Sequence, residues 1–157
     1  MRRSHAVSAG LLAFRRRGGG LEVLLAHPGG PYWAKKDDGA WTIPKGLVEP
    51  GEEAADPLAT ARREFTEETN LAAPGPFIAL APVRQKSGKT VQAFAFEADL
   101  DLAGFASNMF DLEWPPKSGR LQRFAEIDRI AYFALPVAMV KILPYQRPLL
   151  TELEQRM

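Results

Sequence analysis

Apolar and polar positions alternate in blocks along the first part of the chain. Two apolar runs, residues 6–14 and 21–26, flank three arginines and three glycines at 15–20. Because glycine supplies the backbone freedom that a tight turn needs, this pattern predicts a β-hairpin. The next segment, residues 27–39, is rich in glycine, proline and lysine and is expected to be a surface loop. A short strand is then predicted over residues 40–43.

The strongest helical signal lies between residues 56 and 70. Asp56 is a favourable N-cap, and Pro57 suits the first helical turn. Apolar side chains follow at positions i, i+3 and i+7, which places them on one face of a helix: Leu58, Ala61 and Phe65. Asn70 tolerates the left-handed conformation that ends a helix. The pattern therefore predicts a helix that packs on the core through one apolar stripe.

Strand patterns return after this helix. Residues 77–84 and 90–98 flank a polar segment at 86–89, which predicts a second hairpin. In the run 90–98 apolar residues occupy both alternating sets of positions, so both faces of that strand are expected to be covered. A further strand is expected at 109–114, where two prolines follow it.

The last part of the chain has a helical pattern from Pro136 onward, interrupted by Pro144 and Pro148. Strands with helices interspersed indicate an α/β layered domain with a mixed sheet. The length of 157 residues suits a single substantial core, so residues 1–157 are expected to form one domain.

The charge balance and the absence of cysteine narrow the possible functions. The chain has 20 basic and 19 acidic side chains and a formal net charge of +1, which argues against nucleic acid as a partner. The lack of cysteine excludes disulfides, thiol nucleophiles and cysteine-based zinc sites, and it fits a reducing, cytoplasmic location. The apolar runs are too short for a membrane span, and the one behind the basic N-terminus predicts a strand instead of a signal peptide.

Three glutamates on the predicted helix carry the most informative chemistry. Glu64, Glu67 and Glu68 are spaced i, i+3 and i+4, so they share one helical face. Like charges at this spacing destabilise an isolated helix, and a bound divalent cation would remove that cost. Mg²⁺ prefers oxygen ligands and keeps coordination positions open for water and phosphate. The alternative is that this acidic face is simply solvated.

The residues around the acidic face favour the metal interpretation. Arg63 precedes Glu67 by four residues and can hold that carboxylate in place. Upstream, a glycine-containing loop at 44–51 supplies backbone carbonyls and permits close approach to a metal–phosphate complex. The arginine, the spacing of the glutamates and this loop together outweigh the interpretation as a solvated helix.

Residues 46–71 resemble the Nudix box, whose pattern is G, five residues, E, seven residues, then R-E-apolar-x-E-E-x-G-apolar. Gly46 and Glu52 match with the family's spacing, and the second half is matched by Arg63, Glu64, Phe65, Glu67, Glu68 and Leu71. Two departures occur, because ten residues separate Glu52 from Arg63 and the box glycine is Asn70. The three extra residues are expected at 53–55, in a loop before the helix cap, which leaves the role of Glu52 open.

The resemblance implies a Nudix-type α/β/α sandwich and a hydrolase. In that family Mg²⁺, for which Mn²⁺ can substitute, binds the box glutamates and bridges a diphosphate while water attacks phosphorus. The substrate would be a nucleoside diphosphate linked to another group. Glu64 is the first candidate for the base, and Arg63 would orient the glutamates. By matching, the implied metal ligands are Gly46, through its carbonyl, Glu64, Glu67 and Glu68, and the implied catalytic residues are Arg63, Glu64 and Glu68.

Many members of the family add a carboxylate from a later strand or loop. Glu113, just before Trp114, is expected to supply it here, and the alternative is a surface acid at the end of a strand.

Substrate contacts are expected around residues 41–46. This W-T-I-P-K-G segment resembles the W-x-x-P-K-G of Nudix branches that act on dinucleoside polyphosphates and diphosphoinositol phosphates. Lys45 is expected to contact a phosphate, and Tyr32 and Trp33 are candidates for stacking on a base. Exposed loop residues of these types are also commonly solvated or locally packed. The same holds for four lysines that could extend a phosphate-binding rim: Lys35, Lys36, Lys86 and Lys89.

Two other functions stay open at the level of sequence. A Nudix-fold module could sense a nucleotide without hydrolysing it, but such modules usually lose box glutamates, and all three are present here. A structural acidic helix with a fortuitous match would show no site in a Mg²⁺ titration. The sequence does not choose among dinucleoside polyphosphates, nucleoside triphosphates, nucleotide sugars and ADP-ribose, or give the oligomeric state. His5 and His27 are too isolated to be expected as ligands.

Overall fold

A mixed β-sheet forms the centre of the computed structural model, which describes residues 6–51 and 56–157. Its strands in the described chain are β1 (Val7–Arg17), β2 (Gly20–Pro28), β3 (Lys45–Leu47), β4 (Ile78–Ala79), β5 (Val83–Arg84), β6 (Thr90–Glu97) and β9 (Ile127–Ala134). Their order is β4-β6-β1-β2-β9, with β3 paired to β1 and β5 paired to β6. β1 and β6 run parallel, and the other pairs are antiparallel. Two further strands, β7 (Met109–Glu113) and β8 (Leu121–Ala125), form a separate antiparallel pair.

Helices cover both faces of the main sheet. They are α1 (Pro57–Thr69), α2 (Leu135–Lys141) and α3 (Arg147–Arg156), and a 3₁₀ turn at Pro144–Gln146 precedes α3. Since successive side chains of a strand point to opposite faces, β1 contributes to two core clusters. Leu11 shares one cluster with Phe65 of α1, whereas Leu12 shares the other with Leu150 of α3. This three-layer arrangement confirms the predicted α/β/α fold with a mixed sheet.

The first hairpin is confirmed, but its strands extend into the predicted turn. β1 continues through the three arginines, and the turn is made by Gly18 and Gly19, which have φ of 58° and 81°. Arg15 stays in the ladder because it faces Glu22 across the hairpin and forms an ion pair of 2.8 Å with it. The same guanidinium also lies 2.8 Å from a carboxylate oxygen of Asp99, which ties the hairpin to the chain after β6.

The structure corrects the predicted start of the loop at His27. β2 continues to Pro28, and His27 is fully buried within it. Its Nδ1 lies 2.8 Å from Oδ1 of Asp128, and its Nε2 lies 2.6 Å from the carbonyl oxygen of Lys36. These two hydrogen bonds satisfy a polar residue inside the strand, so the loop begins only after Pro28.

The strand predicted at 40–43 is wrong. Trp41 and Thr42 form isolated bridges to two different parts of the chain instead of a continuous ladder. The strand β3 begins only at Lys45 and pairs with β1. Pro44 stands between these segments, and it has no N–H group to donate to a ladder.

The second hairpin is confirmed with an interruption. β4 and β5 both pair antiparallel with β6, and residues 80–82 break the first arm of the hairpin. β6 is covered on both faces, as its pattern predicts, since Ala93 belongs to one core cluster and Phe94 to the other.

The C-terminal part holds two strands that the pattern did not predict. β7 is confirmed, but its partner β8 is largely exposed and lacks a regular apolar alternation. β9 pairs with β2, and its second and third residues, Asp128 and Arg129, are charged. Pro148 lies in the first turn of α3 and does not interrupt a helix. The N–H groups of the first turn have no acceptor within the helix, so the N–H that proline lacks is not missed there. None of the helices in residues 6–51 and 56–157 is long and apolar enough to cross a membrane.

Candidate active site

Helix α1 presents the acidic face because both of its ends are fixed. Asp56 accepts a hydrogen bond of 3.2 Å from a backbone N–H of the first turn, where Pro57 also lies. At the other end Asn70 adopts a left-handed conformation with φ of 63°. These caps confirm the predicted helix bounds. Phe65 is fully buried against the sheet, so the glutamates of α1 lie to the side of the core.

Gly46 of β3 and Glu64 of α1 lie directly against each other. A Cβ atom on Gly46 would overlap the carboxyl group of Glu64. Only glycine therefore fits at this position without a shift of the helix or of that side chain. The contact brings the backbone of β3 beside a carboxylate whose side chain is only 18 % exposed.

Arg63 connects two of the three glutamates. Its Nη1 lies 3.2 Å from Oε2 of Glu64 and 3.2 Å from both carboxylate oxygens of Glu67. The i,i+4 contact to Glu67 is the one that the sequence predicts. Both Arg63 and Glu67 are largely exposed, so this ion pair orients the side chains more than it stabilises the fold.

The pKa of the Glu68 carboxyl group is shifted far from its ordinary value. Burial raises its pKa to about 8, and the negative charge of Glu64 acts in the same direction. The backbone N–H of Lys45 donates a hydrogen bond to the Glu68 carboxylate and partly opposes this shift. A strongly shifted carboxyl group in a cleft is typical of a functional site.

Lys45 lies close enough to the same carboxylates to interact with their charges. Burial lowers the pKa of its ammonium group, and the nearby charge of Lys89 adds to this effect. The charges of Glu68 and Glu64 raise the pKa and so favour the charged form. The site therefore combines two clustered carboxylates with a half-buried lysine.

A cleft of about 240 Å³ opens beside these residues. Its polar lining includes Lys45, Glu68 and Glu126, and the charge of Glu126 helps to raise the pKa of Glu68. Its apolar and aromatic lining is formed by Pro28, Trp33, Ile43, Ile127, Leu143 and Tyr145. A concave site with a few charged groups and aromatic walls suits a charged ligand that carries a ring.

Glu126 was missed by the sequence reasoning, which favours Glu113. Glu113 ends β7, and its Oε2 accepts a hydrogen bond of 2.7 Å from the N–H of Gly119 within the same hairpin. Glu113 is not among the residues that line the cleft. Glu126 reaches the cleft because its backbone is held on both sides, by its N–H to Asn108 O and by its carbonyl to Gly29 N, each at 2.9 Å. No local signal in the sequence singles out Glu126, because the two strands that flank it were not predicted either.

The remaining predicted residues differ in where they lie relative to the cleft. Trp33 lines it, and the ammonium of Lys36 lies 5.0 Å from the centroid of the Trp33 ring. Tyr32 instead makes an edge-to-face contact with Trp114, with 5.1 Å between the ring centroids. Lys35 and Lys86 are exposed. Glu52, the insertion at 53–55 and His5 lie outside the described residues.

The donor set fits a divalent cation chemically. Within residues 6–51 and 56–157, no three carboxylate or imidazole groups converge closely enough to hold a metal ion. Two observations nevertheless suit one. Glu64 and Glu68 are close enough for the charge of one to raise the pKa of the other. The absence of a side chain on Gly46 keeps backbone beside Glu64.

The fold and the site together define a class of protein. An α/β/α sandwich presents an acidic helix against a glycine of a short strand, at the side of a cleft. The NUDIX domain family model matches residues 4–144. The chain belongs to this family, and it is a pyrophosphohydrolase that keeps the three glutamates of the box. A comparison with curated proteins finds no match.

Solved structures of NUDIX proteins share the fold. A C. elegans Ap4A hydrolase, solved as a binary complex, is 24% identical with a TM-score of 0.61, and the match covers 95% of this chain and 96% of the other. The NUDIX domain of Shewanella oneidensis NrtR, solved with ADP ribose, is 15% identical with a TM-score of 0.63 over 99% and 90% of the two chains. The MutT protein from Methanosarcina mazei Go1 is 18% identical with a TM-score of 0.63 over 99% and 97%.

Proposed function

We propose that this protein is a Mg²⁺-dependent hydrolase that cleaves a diphosphate linkage in a nucleotide joined to another group. The observation that carries the proposal is the contact of α1 with β3, which clusters Glu64 and Glu68 beside Gly46 and Lys45 at the edge of a cleft. Clustered carboxylates suit a cation, and the lysine suits the anionic substrate that the cation would neutralise.

The residues of the Nudix box have different roles in this proposal. Glu64, Glu67, Glu68 and the carbonyl of Gly46 would hold the cation. When bound, the cation neutralises phosphate charge and lowers the pKa of a coordinated water. Glu64 accepts the proton of the attacking water, and Arg63 orients Glu64 and Glu67 through its 3.2 Å contacts. Lys45 contacts a phosphate oxygen of the substrate.

Glu126 is the better supplier of the additional carboxylate. It lines the cleft and acts electrostatically on Glu68, whereas Glu113 is bound to its own hairpin. We therefore assign the later carboxylate to Glu126 in this proposal, in place of the Glu113 that the sequence favours.

Dinucleoside polyphosphates are the proposed substrate class. The W-x-x-P-K-G segment leads into β3, and its lysine lies beside the carboxylates. Trp33 and Tyr145 give the cleft aromatic walls on which a base can stack. The likeness of the fold to a C. elegans Ap4A hydrolase agrees with this class.

A substrate panel tests the proposal. Diadenosine tetraphosphate, a nucleoside triphosphate, ADP-ribose and para-nitrophenyl phosphate are each incubated with the protein, with Mg²⁺ and with a chelator. We expect the dinucleotide to be cleaved fastest, at a diphosphate linkage identified by product analysis, and only with Mg²⁺. Equal rates on para-nitrophenyl phosphate and on the dinucleotide, or full activity in chelator, would contradict it.

A further inference from the structure

Tyr145 reaches the cleft from the 3₁₀ turn that precedes α3, and its hydroxyl oxygen has a defined hydrogen-bond role. The residue is half-buried and lines the cleft. Its Oη lies 2.9 Å from Nε2 of Gln146. A side-chain amide nitrogen can only donate, so the tyrosine oxygen accepts this bond. The O–H proton of Tyr145 is therefore left for another acceptor.

The orientation of the Gln146 amide is fixed by its other partners. Gln146 is fully buried, and its Oε1 accepts a hydrogen bond of 3.1 Å from the N–H of Ile43. Because that N–H can only donate, a flipped amide would place two donors together. Nε2 also donates to Oγ1 of Thr42 at 2.9 Å, and the Thr42 hydroxyl donates to the carbonyl of Ile43 at 3.0 Å. Each hydrogen bond in this network therefore joins one donor to one acceptor.

The Tyr145 hydroxyl keeps its proton, and the hydrogen bonds of this network do not use it. In the part of the chain that the structure describes, Gln146 is the hydrogen-bond partner of Tyr145 Oη, and it already acts as the donor. Burial raises the pKa of Tyr145 above its ordinary value of 10.0, so the group remains a donor at neutral pH. A donor without a protein acceptor at the wall of a cleft is available to a ligand.

We propose that Tyr145 contacts the substrate, with its O–H donating to an acceptor atom of the nucleotide, and that Gln146 is the residue that positions it. The acceptor is an oxygen or ring nitrogen of the group that occupies the cleft. This inference rests on the proposed function, because it takes the cleft as the substrate site. It assigns a binding role to residues beyond the Nudix box and links the α3 end of the chain to the segment that leads into Lys45.

Tyr145→Phe tests the contact, since phenylalanine keeps the ring and removes only the hydroxyl. We expect the KM for diadenosine tetraphosphate to rise about tenfold, the effect of one lost hydrogen bond to a ligand, with kcat little changed. Tyr132→Phe is the matched control. Tyr132 is also half-buried, but its hydroxyl donates to Ala98 O at 2.7 Å and accepts from Leu100 N at 3.1 Å. This control should lose stability and keep its KM.

Gln146→Glu tests the positioning role. A carboxylate at this position still accepts from the Ile43 N–H, but it would also accept the proton of the Tyr145 hydroxyl and turn that proton away from the cleft. The KM should rise as in Tyr145→Phe, and the double variant should show no further increase. If burial of the charge prevents Gln146→Glu from folding, the comparison of Tyr145→Phe with Tyr132→Phe still decides the question.

The outcomes separate this inference from the proposed function. An unchanged KM in folded Tyr145→Phe, or an equal rise in Tyr132→Phe, overturns the inference. If the wild-type protein cleaves no dinucleotide, the proposed function fails, but a Kd for ADP-ribose that weakens in Tyr145→Phe and not in Tyr132→Phe still supports the contact. A wild-type protein that neither cleaves nor binds these two probes overturns both.

Discussion

Glu67 and Glu68 show how neighbouring side chains of the same type acquire different chemistry. Glu67 is exposed and paired with Arg63, whereas Glu68 is turned into the cleft, where burial and Glu64 raise its pKa to about 8. If both side chains were fully exposed to water, they would both be ordinary surface carboxylates. A metal-free protein at neutral pH therefore holds Glu68 largely protonated, and cation binding must displace that proton.

The shifted pKa of Glu68 predicts how the stability of the metal-free protein depends on pH. An unfolded glutamate titrates near 4.5 and the folded one near 8, so the folded state binds more protons between these values. Stability contributed by Glu68 is thus complete at low pH and is lost as the pH rises from about 5 to 8. Glu68→Gln mimics the protonated form and should remove this dependence.

Thermal melting in chelator over this pH range measures the effect. The difference in midpoint between Glu68→Gln and the wild type should grow in favour of the variant as the pH rises. A difference that stays constant with pH would mean that Glu68 does not carry the shifted pKa.

At the scale of elements, the packing of α1 against β3 builds the site. Gly46→Ala should disturb this packing, because the added Cβ would overlap the Glu64 carboxyl group. We expect a loss of turnover of about a hundredfold, as displacement of a catalytic group by an ångström can produce, with the fold retained. Gly20→Ala is a suitable control, since Gly20 has φ outside the left-handed region and its nearest contact, to Arg17 O, would be an ordinary 3.9 Å.

Circular dichroism and steady-state kinetics on both glycine variants decide this point. Turnover in Gly46→Ala equal to that of Gly20→Ala would show that the close approach of β3 to α1 is not needed for activity.

The elements differ in how far the sequence could predict them. Helix α1 was predictable in bounds and orientation because its cap, its apolar stripe and its acidic spacing are all local signals. β8 was not, because its exposed strand is stabilised by pairing with β7 and not by an apolar face. Glu126 was missed for the same reason, since its place in the cleft depends on hydrogen bonds to Asn108 and Gly29, far away in the sequence.

At the scale of the whole molecule, the cleft is assembled from segments that are distant along the chain. The cleft is lined by residues from five different parts of the fold, Pro28, Lys45, Glu68, Glu126 and Tyr145. No periodicity or spacing in the sequence predicts that these residues lie together. The Nudix box, by contrast, is confined to residues 46–71 and can be recognised directly in the sequence. The sandwich therefore supplies what the motif lacks, which is the rest of the cleft beside the acidic helix.

The central claim is that the acidic face of α1 is the catalytic site of a Mg²⁺-dependent hydrolase. Its most direct test is Mg²⁺-dependent turnover of diadenosine tetraphosphate by the wild type, Glu68→Gln and Glu154→Gln. Glu154 is an exposed glutamate of α3 that does not line the cleft. Glu68→Gln should lose at least about a hundredfold in kcat while remaining folded, and Glu154→Gln should match the wild type. Turnover of folded Glu68→Gln close to that of the wild type would contradict the claim.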